Sequence, residues 1–319
     1  MPRSTWPSCS PARAHVREHT ARTAAGVAGV LTYLLAALAA CANAGASVMQ
    51  RKADREESFS DNLSIRLVLN LLRKPGWLLG VLGVIVSFLL QAAALSTGPL
   101  SVVEPIMVFE LPVALLLASA VFHRRLHARE WSAALAITLG LAGLLAVLSP
   151  SGGGSTGVSW LAWAIGGGVN LAAIGALVAA ARRSGSGSRR AALLGLAGGT
   201  TYGLTAALMK GMTNAVNHGG LVRIFLTWQT YAMVATGLLA MFLLQSALNA
   251  GPLIAAQPGL TGGDPIVSIL WGTLGYAETV RAGVYLIPAA VSAVVIGWGV
   301  MRLSRSPLVG TAPDRVTTG

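Results

Sequence analysis

The 319-residue sequence is poor in charge: 11% of its residues are Asp, Glu, Lys or Arg, while 54% are hydrophobic. A soluble globular domain carries roughly 25% charged residues. So little charge could not keep a surface wet, which excludes an ordinary soluble fold. Cysteine is nearly absent. Cys9 and Cys41 are not part of a CxxC pair, so neither a disulfide framework nor a thiolate zinc site is supported. Lysine is scarce as well, with 3 Lys to 20 Arg. Beside abundant Ala and Gly, that bias suggests a bacterium with a GC-rich genome. No Ser-His-Asp set or paired-carboxylate arrangement stands out, so no enzyme and no cofactor are expected. The "SGGGS" at 151–155 is not a phosphate loop, because no Lys-Ser/Thr follows and no strand precedes it.

What the sequence has in quantity is apolar runs. The mean hydropathy is +0.66, and runs of about 20 residues, enough to cross ~30 Å of hydrocarbon, recur from end to end. The expected fold is an all-α polytopic transmembrane bundle of about nine spans. They fall near 24–47, 76–97, 99–121, 131–149, 159–181, 191–213, 224–249, 252–275 and 283–302. Residues 1–23 read as a disordered tail. Residues 24–149 form a first repeat, 150–190 a linker span, 191–303 a second repeat and 304–319 a C-terminal tail. Within the loop 48–75, residues 61–74 place Leu63, Leu67, Val68, Leu71 and Leu72 on one helical face and Arg66, Asn70 and Arg73 on the other. This is an amphipathic helix for the membrane surface, too short to span. "PSGGGSTG" at 150–157 and "RRSGSGSRR" at 182–190 read as flexible linkers.

The net charge of +12 does not point to nucleic acid, since no basic face or aromatic stacking pattern accompanies it. The basic residues gather in short loops. Sixteen of the 23 fall on one side of the nine-span topology and seven on the other, Lys210, Arg223 and Arg281 among the seven. By the positive-inside rule the sixteen are cytoplasmic. The expected location is the bacterial inner membrane, with the N-terminus outside and the C-terminus in the cytoplasm.

Two stretches break the apolar pattern. "GPLSVVEPIMVFELP" (98–112) and "GPLIAAQPGLTGGDP" (251–265) repeat their prolines at identical offsets: Pro99, Pro105 and Pro112, then Pro252, Pro258 and Pro265. "GVAGVLTYLL" (26–35) likewise matches "GLAGGTTYGL" (195–204), pairing Tyr33 with Tyr202. Spans 1–4 therefore resemble spans 6–9. The repeats start five spans apart, an odd number, so the second is inverted in the membrane. Inverted repeats around a midplane site characterise secondary transporters.

At 1.5 Å per residue, Glu110 lies about 18 Å and Asp264 about 20 Å from their entry points, approached from opposite faces. Both land near the bilayer centre, where a carboxylate is costly and points to function. They are the leading substrate- or ion-binding candidates, joined by Glu104 and Gln257. Glu104, about 9 Å deep, reads equally as a mouth or an interfacial residue. Pro105, Pro112, Pro258 and Pro265 are candidate helix breaks, because proline lacks the N–H and clashes with the preceding turn; kinking for packing is the alternative reading. Gln91, Gln245, Gln257 and Asn170 can glue helices together, and Gly195, Gly199 and Gly203 form a small-residue ridge for close helix approach. His123 and His127 flank a basic loop and read as solvated. No metal site is assigned.

"LSTGPLSVVEPI" running into "VFHRRLHAREWSAALAITLGLAGLLAVL", and "NAGPLIAAQPGL" running into "GYAETVRAGVYLIPAAVSAVVIGWGV", resemble the drug/metabolite transporter superfamily and its EamA-like permeases. The resemblance implies a proline-bearing helix, a polar turn and a Gly-rich last helix in each half. Glu278 fits the turn in the second half, and Arg125 takes its place in the first. Typical members have ten spans. The nine-span pattern is similar to the NIPA-like branch, which brings divalent cations such as Mg²⁺ into consideration. The resemblance implies a secondary transporter moving a small solute or cation by alternating access, with membrane lipid around it and a second copy of the chain as a candidate partner. The alternative is a non-transporting membrane scaffold or accessory subunit of envelope assembly.

Overall fold

The computed structural model describes residues 11–55, 75–123, 126–152, 157–251 and 253–304. The amphipathic stretch 61–74, residues 1–10, Arg125 and the tail from 305 onward lie outside the described residues. The chain is a helical bundle. Its helices are α1 (Pro11–Arg55), α2 (Pro75–Thr97), α3 (Leu100–Met107), α4 (Glu110–Val121), α5 (Ala128–Leu148), α6 (Trp160–Arg183), α7 (Gly187–Gly219), the short α8 (Arg223–Leu226), α9 (Trp228–Ala250), α10 (Leu253–Leu270) and α11 (Leu286–Ser304). Two short strands, β1 (Ser151–Gly152) and β2 (Glu278–Thr279), form an antiparallel pair.

Among the described residues, eight helices or helix pairs are long and apolar enough to cross a membrane, α3 and α4 counting together as Leu100–Val121. The chain is therefore a multi-pass membrane protein in its architecture. The eight do not include α10. Gln257, Asp264, two prolines and three glycines dilute its hydropathy, and it is held inside the bundle against α7.

α7 is the most enclosed of the long helices. It lies along α9 and α10, while α1 lies along α2 and the α3–α4 pair, and α5 pairs with α11. The largest buried cluster joins both halves, with Leu95, Leu100 and Val103 packed in one core with Leu204, Met209 and Trp271.

The glycine ridge forms the α7–α10 contact. A side chain at Gly195 would strike the Ala256 carbonyl, one at Gly199 the Leu260 and Gly259 carbonyls, and one at Gly203 the Asp264 carbonyl and Val267. Gly259 and Gly263 face the α7 backbone in return, at Leu196 and Thr200. The two helices thus run side by side in the same direction, backbone against backbone. Small residues permit this approach, and dispersion contacts then stabilise it.

Three expectations are corrected. Pro258 and Pro265 do not break their helix. α10 is continuous from Leu253 to Leu270 with both prolines inside, and the path loosens only afterwards, into a π-turn at Trp271–Gly275. Each proline leaves a gap in the hydrogen-bond ladder, but the close seat on α7 holds the helical path across it. The first half behaves differently, because its span divides between Pro105 and Pro112. Pro112 cannot donate to Val108, whose carbonyl instead takes the Leu111 N–H at 3.2 Å, while Phe109 donates to Ile106 at 2.9 Å. These i→i+3 bonds tighten the chain and end α3 before α4 begins. The second correction is at 182–190, where only Ser184–Ser186 separate α6 from α7. That stretch is a tight helix-to-helix turn, with Gly187 packed on the Ala250 carbonyl. Third, α1 starts at Pro11, so residues 11–23 belong to a helix.

The ridge gives a direct test. Gly199→Ala sets a methyl group against two carbonyl oxygens and is expected to destabilise the protein by about 1–3 kcal/mol, the usual cost of overpacking. Gly168→Ala, where nothing lies within 4 Å of the new carbon, is expected to be neutral. Thermal unfolding of the two purified variants in detergent compares them.

Candidate functional site

Two groups of buried polar side chains lie between the halves. The first surrounds the hairpin turn at Gly98–Pro99. α2 ends there with unpaired carbonyls and α3 starts with unpaired amides, the electronegative and electropositive ends of two helices. Each end meets an opposite charge from the second half. Lys210 of α7 is buried and donates to the Leu95 carbonyl at 2.6 Å and the Gly98 carbonyl at 2.5 Å. Glu278 of β2 is buried and accepts from the Leu100 and Ser101 amides at 2.6 and 2.9 Å, and from the Ser101 hydroxyl at 2.6 Å. The charges of Lys210 and Glu278 also act on each other across the turn.

The local chain is shaped for this clamp. Gly98 leaves room for Thr32, which bonds Thr97 at 3.0 Å, and Gly272 leaves room for the Glu278 carboxylate. Ala277 adopts left-handed backbone (φ 52°), turning the chain between the π-turn and β2. The β1–β2 ladder and the bond from the Arg281 amide to the Leu148 carbonyl (2.9 Å) hold the loop from outside. Tyr276 donates its hydroxyl to the Ala207 carbonyl at 2.6 Å. Burial, and then the nearby Glu278 charge, push its phenol above the usual tyrosine range. The phenol therefore remains a donor across the neutral range. Its contribution falls above about pH 10, where the unfolded chain's tyrosine ionises first. Trp163 completes the rim, tilted over Trp271 at 4.6 Å and edge-on to Trp228 at 5.2 Å.

The second group holds the candidate binding residues. Glu104 is buried rather than at a mouth, and it accepts from Gln91 at 2.9 Å. Its shelter comes from the protein itself, since the hairpin end before it is covered by Glu278 and the Tyr276 loop. Glu110 stands in the first turn of α4, at the electropositive end left by the break in span 3, and it accepts a hydrogen bond from Asn43 of α1. Asp264 of α10 accepts from Ser268 at 3.1 Å. Glu104 and Asp264 lie close enough for their charges to interact, as do Asp264 and Glu110. The Tyr202 phenol senses both Asp264 and Glu110. Asp264 thus lies within electrostatic reach of both first-half acids, Glu104 and Glu110.

The other candidates divide. Gln257 donates to Thr261, one turn along its own helix, at 3.2 Å. Pro105, Pro258 and Pro265 line one apolar cavity of about 160 Å³ with Val108, Leu141 and Ile296, while Pro112 is buried in α4. Tyr33 faces outward, unlike its repeat partner Tyr202. His127 precedes α5, its backbone N–H bonded to Glu130 at 2.7 Å. Among the described residues, no three His, Cys, Asp or Glu gather to hold a metal ion.

Fold and site together define a multi-pass helical membrane protein with an internal carboxyl cluster. The chain is similar to an uncharacterized protein of Corynebacterium glutamicum, 26% identical over 277 residues that cover 84% of this chain and 94% of the relative. No family model matches the sequence, and no solved structure matches it.

The clamp is open to a mutational cycle. Glu278→Ala leaves two amides and a hydroxyl without their acceptor and is expected to cost roughly 3 kcal/mol, as removal of one side of a buried charged network does. Lys210→Met should cost a comparable amount, and the double variant less than the sum, because the two charges share one turn. Unfolding in mixed detergent and SDS, followed by tryptophan fluorescence, measures all three; strict additivity would separate the two ends of the clamp.

Proposed function

We propose that this chain is a secondary transporter of the drug/metabolite transporter kind, moving a small solute or cation by alternating access. The observation that carries this reading is the convergence of Glu104, Glu110 and Asp264 from both halves within the bundle, with Tyr202 beside them. Ionisable groups inside a membrane are costly and mark pathways for ions or substrates. Repulsion of Asp264 by Glu104 and by Glu110 is relieved when a proton or a cationic group enters, which is the coupling a carrier needs.

The reading takes α10 as a ninth crossing. Its start packs near the start of α7, where Gly251 meets Gly187, and its end reaches Trp163 at the start of α6. It also takes the halves as inverted repeats. α7 runs parallel to α10, and α1 runs parallel to the α3–α4 pair through Thr32–Thr97 and Asn43–Glu110. The late residue Lys210 of α7 meets the hairpin that packs on the early residue Thr32 of α1, as opposed orientations require. Arginine distribution puts the 184–186 side in the cytoplasm of a bacterial inner membrane.

Glu110→Gln and Asp264→Asn are each expected to abolish flux while leaving the protein in the membrane at normal abundance. Uptake and growth of a deletion strain, screened against amino acids, organic cations and divalent metals and complemented by each variant, provides the readout. Full transport by both variants would remove these two acids from the pathway. A stoichiometric co-purifying partner, with no flux in proteoliposomes for any screened solute, would favour the scaffold reading instead.

Orientation is tested separately. Gly185→Cys and Gly220→Cys, each in a Cys9→Ser, Cys41→Ser background, are exposed to a membrane-impermeant maleimide in intact cells and, separately, after permeabilisation, when both are expected to react. Only Gly220→Cys should label from outside.

A further inference from the structure

α5 begins and α11 ends at the same end of the bundle. Between them lies an open cavity of about 480 Å³, lined by Ala128, Arg129, Ser132 and Arg302. Arg302 is held from two sides. Its guanidinium stacks over Trp298 at 4.4 Å, and its Nη1 donates to the Ser132 hydroxyl at 3.0 Å. That hydroxyl donates in turn to the Arg129 carbonyl at 2.8 Å, which fixes its lone pairs toward Arg302. Stacking engages the face of a guanidinium and leaves the N–H groups in its plane unspent. Arg302 is therefore a positioned fork with most of its donors still to use. Arg129 stands beside it, exposed. Its neighbour Glu130 does not compensate it, being buried and turned onto the His127 amide at 2.7 Å. Among the described residues, neither arginine is paired with a carboxylate.

The aromatics give the level of the cavity in a membrane. Trp298 lies one turn before Arg302 on α11, and Trp131 lies at the start of α5; they are 41% and 49% exposed. Exposed tryptophans near helix ends gather at the headgroup layer. Two uncompensated guanidinium groups are thus presented where lipid phosphates lie. Guanidinium matches phosphate with paired hydrogen bonds, and basic pockets between spanning helices hold anionic headgroups.

We infer that the α5–α11 cavity binds the phosphate group of an anionic phospholipid, with Arg302 as the preset fork and Arg129 as the second cation. A soluble phosphate offers the same group, but the flanking indoles place the cavity where lipid supplies it. The site is apart from the carboxyl cluster, and it stands whether or not the chain carries a solute.

The test is native mass spectrometry of the full chain, delipidated in detergent and titrated with phosphatidylglycerol or with phosphatidylcholine of the same acyl chains. The first phosphatidylglycerol adduct is expected to form about tenfold more tightly than the phosphatidylcholine adduct, in keeping with two basic contacts. Arg129→Gln and Arg302→Gln should each weaken it by about fivefold, the worth of one arginine at an anionic surface. Arg183→Gln removes the same charge from the exposed end of α6 and should leave it unchanged. Inorganic phosphate and glycerol phosphate at millimolar concentration should not displace the lipid. Equal affinity for the two lipids would overturn the proposal, as would unchanged affinity in Arg129→Gln or an equal loss in Arg183→Gln. Displacement by inorganic phosphate would overturn it too, in favour of a soluble anion. The lipid comparison and the phosphate competition need no variant, and Arg129 is an exposed side chain, so misfolding of Arg302→Gln leaves the proposal decidable.

Discussion

The structure depends on how one tight hairpin is neutralised. At Gly98–Pro99 two helix ends meet, one presenting bare carbonyls and the other bare amides, and the surrounding protein shuts water away from both. Lys210 and Glu278 supply the missing partners from segments more than a hundred residues away. The hairpin of the first half is thereby fastened to the second half by charge-assisted bonds at both of its ends. The central core closes around that point, with Leu95 and Leu100 buried against Leu204 and Trp271.

A second constraint sets the depth of the acids. The glycine ridge of α7 lets α10 approach at backbone distance, and the Asp264 carbonyl lies directly over Gly203. The same contact keeps α10 helical through two prolines. In the first half no such ridge faces the matching span. α1 presents Thr32 and Asn43 to it, and the chain divides at Val108–Phe109. The break places Glu110 at a fresh helix N-terminus, a favourable position for a carboxylate, and leaves Asn43 to complete its hydrogen bonding. Matching proline patterns thus yield a continuous helix where the neighbour is smooth and a broken one where it is not.

The sequence made the spans legible because hydrocarbon imposes a length and a composition on each one locally. The glycine ridge and the buried acids were legible for the same reason, since each is a local departure from an apolar run. The clamp was not. Lys210 entered the reading as a loop charge in the topology count, and Glu278 only as a polar turn residue, because the partners of both are backbone groups of a distant segment with no side-chain signature. The pairings of Gln91 with Glu104 and Asn43 with Glu110 were hidden likewise. The tryptophan cluster had a visible trace in aromatics repeated near helix ends, the usual membrane-interface pattern, but which of them meet depends on how α6, α9 and the π-turn pack.

The two constraints together limit how such a molecule could move. α7 and α10 pack along their ridge, and residues 95–101 are clamped to Lys210 and Glu278 while α2 and α3 also lie along α1, so the hairpin end of span 3 is tied to both halves. α4, carrying Glu110, instead contacts α1 and α5 of the first half. On the proposed transport reading, relative motion of the halves would be absorbed in span 3 itself, at 108–109, where continuous i→i+4 bonding is already interrupted. A few element-terminal residues are where hinge motions are absorbed. Relative rotation of the halves would therefore shift Glu110 against Asp264 and Glu104 while leaving the latter two in register. A change in the spacing of Asp264 and Glu110 alters their repulsion, which on the proposed reading is how binding of a proton or cation would favour one arrangement over the other.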